Sequence, residues 1–193
     1  MSAIAAPNPI APGRVLADLV PGSRVRDAVL VGAFAVVIGL SAQLAVPLPF
    51  TPVPVTGQTF AVLLGAAALG AGRATLGASL YVVLGMVGVP WFTATGGASF
   101  GYIVGFIVAA AIVGRLARSG NDRTVGRTIA LMVVGNVAIY AFGVTGLALF
   151  LGVGLVEATV LGAVPFLIGD ALKLALAAAT LPATWRLVGS HRA

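Results

Sequence analysis

The sequence of 193 residues has no cysteine, a single histidine and a single lysine. The absence of cysteine excludes disulfides, thiolate metal sites and cysteine nucleophiles. The histidine, His191, lies in the C-terminal tail, which excludes a histidine-based metal site or proton relay inside a membrane. The lysine, Lys173, is not part of a Gly-x-x-x-x-Gly-Lys-Ser/Thr motif, so the chain cannot hydrolyse ATP through a P-loop. No acid or base lines up with a nucleophile as a triad. We therefore expect a chain that is not an enzyme and needs no cofactor.

Charge is also scarce. Only 8% of the residues are charged and 60% are hydrophobic, whereas a soluble domain is about 25% charged. This composition predicts an integral membrane protein with one domain. The net charge of +6 does not indicate nucleic-acid binding, because the arginines are scattered at the ends of apolar runs and are not clustered on one face.

The apolar runs predict an all-α protein with six transmembrane helices. A helix needs about 20 residues to cross the hydrocarbon of a bilayer. The predicted spans are 27–46, 57–71, 74–89, 102–117, 128–151 and 161–185. The second and third are short, so we expect them to begin within the preceding loop or to be covered by other helices.

The arginines divide the connections into two groups. They lie before span one, between spans two and three, between spans four and five, and after span six, whereas segments 47–56, 90–101 and 152–160 contain no lysine or arginine. Cytoplasmic loops carry the positive excess, so both termini are expected in the cytoplasm, with the protein in the cell membrane. We expect a mobile tail at 1–26 with a short interfacial turn at 15–20, a substrate-binding bundle at 27–185 and a C-terminal tail at 186–193.

Two of the arginine-free connections have unusual compositions. The first contains four prolines between positions 47 and 54. Because proline fixes φ and removes a donor, an extended outer loop is predicted there. The polar side chains of Thr56, Gln58 and Thr59 follow at the mouth of span two. The connection between spans three and four mixes aromatic, hydroxyl and glycine residues. It is interpreted either as a lid over an outward-facing pocket or as interfacial anchoring by its aromatic residues.

Asp170 and Lys173 are the most unusual residues, because they are charged residues within a long apolar run. A charge at the centre of a membrane helix costs at least ~2.5–3.5 kcal/mol. Their i, i+3 spacing places them on one face, either as a structural ion pair or as a donor and acceptor for a neutral, urea-like or amide-like group. Asn136 and Tyr140, at i, i+4, are interpreted either as part of a shared polar pocket or, for Asn136, as interhelical glue.

Three stretches carry a resemblance to a known family. They are Pro-Val-Thr-Gly-Gln-Thr-Phe at 54–60, Gly-Tyr-Ile-Val-Gly-Phe at 101–106 and Pro-Phe-Leu-Ile-Gly-Asp-Ala-Leu-Lys at 165–173. Together they resemble the biotin-specific S component of energy-coupling-factor vitamin transporters, over about residues 27–185. The resemblance implies a six-helix subunit that captures biotin from outside. It also implies two kinds of partner, a transmembrane coupling protein and two cytoplasmic ATPases that drive uptake.

The resemblance further implies roles for individual residues. Asp170 would accept from the ureido N–H groups and Lys173 would donate to the ureido carbonyl. Further expected pocket residues are Asn136, Tyr102, Gln58 and Thr56. Phe60, Trp91 and Tyr140 are expected to pack on the apolar rings and chain. Ser99 is also expected to take part in binding. The family commonly has Gly-Pro-Thr-Gly-Gly-Tyr before span four, where this chain has Gly-Ala-Ser-Phe-Gly-Tyr at 97–102. Ser99 then replaces a threonine hydroxyl, and Phe100 leaves the lid geometry and the carboxylate partner unassigned.

Two other functions stay open at this stage. The chain could transport biotin alone or as a homo-oligomer. It could also be a membrane protein without a transport function, in which Asp170 and Lys173 form only a structural salt bridge.

Overall fold

The computed structural model describes residues 13–92 and 97–190, and it confirms six helical segments. A 3-10 turn at Leu16–Leu19 precedes the bundle. The elements that follow are α1 (Arg24–Gln43), β1 (Ala45–Leu48), β2 (Thr51–Thr56), α2 (Gln58–Leu69), α3 (Ala71–Met86), α4 (Phe100–Arg118), α5 (Val125–Leu151), α6 (Leu155–Gly162), a 3-10 turn (Val164–Phe166) and α7 (Leu167–Ser190). α6 and α7 together make the sixth segment.

Four of these segments are long and apolar enough to cross a membrane. They are α1, α4, α5 and the stretch Leu155–Gly189 that contains α6 and α7. Large apolar side chains such as Val29, Val137 and Leu172 are exposed on their outer faces, as expected where lipid replaces water. The chain is therefore a multi-pass membrane protein.

The shorter of the two short helices, α2, is explained by its position. α2 has 12 residues and is about 18 Å long at 1.5 Å per residue. Every residue of α2 is buried or half-buried, and α2 packs on α1, α3, α4 and α7. A helix surrounded by protein does not have to span the lipid by itself, because its ends are covered by other parts of the chain.

The predicted sixth span, 161–185, is wrong at its beginning. The helical segment starts at Leu155 and is broken between Gly162 and Leu167. α5 ends at Leu151 and is capped by Gly152, whose φ of 69° suits glycine. The composition of 152–160 predicts a connection, but only residues 152–154 make the turn. Pro165 follows in the second 3-10 turn, and its missing N–H explains why α6 does not continue into α7.

The proline-rich segment forms a β-hairpin, which is the only strand pair in the described part of the chain. Ala45 pairs with Thr56 and Val46 with Val55, and the register shifts between Val46 and Leu48, where Pro47 lies. A two-stranded hairpin leaves one edge of each strand open, so it tolerates residues that lack an N–H. The all-α prediction did not include this element.

The packed part of the chain begins before the bundle boundary expected at residue 27. Val15 is fully buried, and the Asp18 carboxylate lies 2.8 Å from Nη1 of Arg73. Helix α1 begins at Arg24, where the Ser23 hydroxyl accepts from the N–H of Val25 at 3.4 Å. Residues 1–12 of the predicted tail, and residues 191–193, lie outside the described residues.

Helices α4 and α5 make the most extensive contact in the bundle. A Cβ added at Gly146 would lie 2.8 Å from the Cα of Gly101, so neither position has room for a side chain. Small residues allow membrane helices to approach this closely.

Candidate ligand-binding site

A cavity, called here the main cavity, lies beneath the hairpin and between the helices. It has about 460 Å³ of space free of protein atoms, which includes space open to solvent. Its lining comes from β2, α2, α4, α5, α7 and the segments that precede α4 and α7. The lining residues are Val53, Pro54, Thr56, Gln58, Thr59, Ser99, Tyr102, Ile103, Phe106, Tyr140, Phe166, Asp170 and Lys173.

Asp170 and Lys173 lie together at this cavity, one turn apart in α7. Asp170 is only 4% exposed, and its Oδ1 lies 3.3 Å from the ammonium nitrogen of Lys173. The ammonium also donates to the Thr59 hydroxyl at 2.7 Å. The pair is therefore tied to α2, and both charges face a space that a ligand can enter.

Two tyrosines hold the wall of the cavity opposite α2. The Tyr140 hydroxyl donates to Oδ2 of Asp170, while the Tyr102 hydroxyl donates to the Gly162 carbonyl at 2.7 Å. Their rings meet edge to face, with centroids 6.4 Å apart. The break after α6 leaves the Gly162 carbonyl free for this bond, so Tyr102 links α4 to the end of α6. Tyr140 was expected to pack on an apolar ligand, but it also fixes the carboxylate.

Gln58 and Thr56 connect the hairpin to the bundle. Gln58 donates to the Tyr81 hydroxyl at 2.8 Å and accepts from the Thr56 hydroxyl at 3.2 Å. Gln58 is buried, at 6% exposure, and both polar atoms of its amide are bonded. Gln58 is therefore better placed to hold the hairpin over the cavity than to donate to a ligand.

Asn136 and Phe60 do not line the main cavity. They lie at a smaller cavity, called here the inner cavity, on the other side of the Lys173–Thr59 contact. It is lined by Thr59, Phe60, Leu63, Met132, Asn136, Lys173 and Leu174. The expected shared pocket of Asn136 and Tyr140 is therefore divided, with Tyr140 at the main cavity.

Trp91 lies away from both cavities. Its side chain is 66% exposed and borders an apolar surface groove with Val36, Leu40 and Phe92. Its carbonyl accepts from the Gln43 amide at 3.2 Å. The structure thus brings seven of the ten predicted residues to the main cavity, places two at the inner cavity and leaves Trp91 outside.

Some lining residues were missed as candidate binding residues. Thr59 was noticed only as a polar side chain at the mouth of span two, although its position next to Gln58 was a usable signal. Ile103, Phe106 and Phe166 provide the apolar wall. The spacing of Tyr102, Ile103 and Phe106 on α4 marks one helix face, but hydropathy alone does not separate a cavity face from a packing face.

A second buried polar cluster lies at the opposite end of the bundle, in the connection between α4 and α5. Asp122 is fully buried and accepts from the indole N–H of Trp185 at 2.6 Å. Arg123 lies 3.0 Å from the Asp122 carboxylate. Burial raises the pKa of the Asp122 carboxyl, although the Trp185 and Arg123 contacts oppose this shift. This cluster fixes the end of α7 far from the main cavity.

The donor set of the main cavity determines what it can bind. It presents one carboxylate, one ammonium, hydroxyl groups and an apolar wall. Among the described residues, no three histidine or carboxylate side chains come together as metal ligands. A neutral ligand with an N–H donor and a carbonyl acceptor on the same rigid group satisfies both charges.

Comparison with solved structures gives a fold match. A crystal structure at 2.1 Å of the S-component for biotin from an ECF-type ABC transporter has the same fold, with a TM-score of 0.72 and 20% identity. The match covers 84% of this chain and 92% of that chain.

Comparison with known sequences identifies the family. Similar proteins include the biotin transporter BioY of Rhizobium etli, 33% identical over 79% of this chain and 89% of the relative. The biotin transporter BioY of Thermotoga maritima is 36% identical over 79% of this chain and 92% of the relative. The model of the BioY family matches residues 14–190, so this chain belongs to the BioY family.

Proposed function

We propose that this chain captures biotin from outside the cell as the substrate-binding membrane subunit of an ATP-driven importer. The observation that carries the proposal is the Asp170–Lys173 pair, a buried carboxylate and a half-buried ammonium that both line the main cavity. Relatives over most of the chain are named biotin transporters. In this role the chain is a transport subunit and not an enzyme.

A count of hydrogen bonds supports the role of the pair. A carboxylate accepts at about four lone-pair positions, and Asp170 uses two of them for Tyr140 and Lys173. An ammonium has three donors, and Lys173 uses two, for Thr59 and Asp170. The remaining acceptor positions suit the ureido N–H groups of biotin, and the remaining donor suits its carbonyl.

The rest of the cavity suits the rest of the molecule. The wall of Ile103, Phe106 and Phe166 offers apolar contact to the fused rings and the valeryl chain. Ser99 lies directly before α4. The N–H groups of Phe100 and Tyr102 already donate to the carbonyls of Gly97 and Ser99, so the Ser99 hydroxyl is the donor that we assign here. We assign the carboxylate of biotin to this Ser99 region, with the Thr56 hydroxyl at the cavity edge. Tyr102, Tyr140 and Gln58 shape the site, and Asn136 and Phe60 lie behind it.

Partners and topology complete the proposal. The similar solved structure is an S-component from an ECF-type ABC transporter, and this sequence lacks a P-loop. We therefore assign ATP hydrolysis to two cytoplasmic ATPases and transmission to a transmembrane coupling protein. The arginine-rich connections and both termini are placed in the cytoplasm, so that the hairpin and the main cavity are nearer the outer face. The bundle of 27–185 is the substrate-binding domain.

Equilibrium binding of labelled biotin to the detergent-purified chain tests the proposal. Saturable, tight binding in a one-to-one ratio is expected, with competition by unlabelled biotin. No saturable binding by the folded chain would refute it. Biotin uptake by cells that produce the chain with and without the coupling protein and ATPases tests the assignment of partners, and full uptake without them would contradict it.

A further inference from the structure

The inner cavity presents a buried polar group that capture of biotin at the main cavity does not use. Asn136 is 9% exposed and lines this cavity together with apolar side chains and the Lys173–Thr59 pair. Among the hydrogen bonds of residues 13–92 and 97–190, none involves the Asn136 side chain. The amide atoms of Asn136 are not among the fully enclosed polar atoms, so a water molecule in the cavity can reach them, and a polar group at such a site is expected to have a partner.

The cavity itself indicates which partner is suitable. It is small, with about 200 Å³ of space free of protein atoms that includes space open to solvent, so a water molecule is a more suitable partner than a larger group. A buried water needs two to four polar neighbours. Asn136, Lys173 and Thr59 provide three from three helices, and Leu63, Met132 and Leu174 also line the cavity.

We propose that the inner cavity holds an ordered water molecule that links the Asn136 amide to the Thr59 hydroxyl, which accepts from Lys173 and can donate its own O–H to the water. Asn136 is then a positioning residue: it does not touch the ligand but holds, through the water, the Thr59 hydroxyl that accepts from the ammonium. Lys173 is attached to α7 and Thr59 to α2, so the water adds α5 as a third support. This inference rests on the proposed function for its effect on biotin, but the water site itself does not depend on a ligand.

Interhelical glue and simple packing predict a different behaviour from a water bridge. If Asn136 only fills space, leucine of similar volume should be tolerated, whereas aspartate would add a buried charge and disturb the fold. If Asn136 supports Lys173 through water, aspartate should be tolerated better than leucine. Asn136→Asp keeps an oxygen acceptor for the water, whereas Asn136→Leu removes every polar atom.

The test uses the full-length purified chain and two measurements. The first is the melting temperature without ligand for the wild type, Asn136→Leu, Lys173→Met and the double variant. The second is the biotin dissociation constant of the wild type, Asn136→Leu and Asn136→Asp. Thr128→Val is the matched control, because Thr128 is also buried on α5 but donates to the Thr124 carbonyl at the start of its own helix.

The proposal gives a defined set of results. Asn136→Leu should weaken biotin binding about five- to ten-fold, the loss of roughly one hydrogen bond, and Asn136→Asp should remain within about three-fold of the wild type. The melting temperatures should be non-additive, because Asn136→Leu has little left to disturb once Lys173 is methionine. Thr128→Val should bind biotin like the wild type.

Two results would overturn the proposal. One is additive melting temperatures in the ligand-free cycle, since this measurement needs no biotin and fails independently of the proposed function. The other is wild-type affinity in Asn136→Leu together with a wild-type chain that binds biotin. A wild-type chain without biotin binding would instead refute the proposed function, and the ligand-free cycle would still decide whether the water bridge exists.

Discussion

Removing the charges of Asp170 and Lys173 one at a time and together separates a binding role from a structural one. Asp170→Asn leaves a buried ammonium without its carboxylate, and Lys173→Met leaves a carboxylate that only Tyr140 still contacts. Breaking a buried pair is destabilising by about 3–5 kcal/mol. We expect the lower part of this range, because Lys173 retains Thr59 and is 20% exposed. Asp170→Asn/Lys173→Met removes both charges, so its stability should return toward that of the wild type.

Biotin binding should follow a different order from stability. A hydrogen bond to a charged group contributes about 1.5–3 kcal/mol, and each 1.4 kcal/mol is about ten-fold in affinity. Each single variant should therefore bind biotin about 10- to 150-fold more weakly. The double variant should bind at least as weakly as either single variant, even though its fold has recovered.

The assay is a biotin titration and a melting curve on each purified variant. Asp122→Asn is the matched control, because Asp122 is also a buried carboxylate with a cationic neighbour but lies at the other end of the bundle. It should alter the melting temperature and leave biotin affinity unchanged. Wild-type affinity in the double variant would refute the reasoning, because the pair would then be only a structural salt bridge.

Three further predictions concern the surroundings of the pair and the ends of the bundle. Tyr140→Phe removes one bond to Asp170 and should weaken biotin binding by about five-fold, or about 1 kcal/mol, in the same titration. Gly143→Ala places a Cβ against the ring of Tyr102, where there is no room for it; this overpacking should lower stability by about 1–3 kcal/mol in a melting curve and weaken binding. Burial alone would raise the pKa of Asp18. The hydrogen bond from Arg73 and other contacts outweigh this effect, so the pKa lies below its usual 3.8. The stabilisation by Asp18 is therefore complete above pH 3.8 and is lost as the pH falls through the folded-state pKa. The difference in melting temperature between the wild type and Asp18→Asn should disappear in that acidic range. A difference that does not depend on pH would contradict this.

The number of helices was predictable because lipid imposes length and hydropathy on each span. The Asp170–Lys173 pair was predictable for a similar reason, since charges in an apolar run are unfavourable unless they have a purpose. The start of the sixth segment at Leu155 was missed because helix and connection were not separable by composition in residues 152–160. The break between α6 and α7 had a signal in Pro165, which was included in a continuous span.

The division of the polar residues between two cavities was not predictable from spacing. Asn136 and Tyr140 share one face of α5, but four residues of helix separate them by about 6 Å along the axis. The Lys173–Thr59 contact, which joins residues 114 positions apart, lies between those depths. Such a contact depends on how α2 and α7 pack. The position of Trp91 outside the cavities likewise depends on how its loop seats on α1.

A structure of this chain with bound biotin tests the central claim most directly. We predict that the ureido N–H groups lie within about 2.7–3.2 Å of the Asp170 carboxylate. The ureido carbonyl should lie at a similar distance from the Lys173 ammonium, with the fused rings against Ile103, Phe106 and Phe166. Biotin bound elsewhere, or bound in the main cavity with its ureido group away from Asp170 and Lys173, would contradict the account.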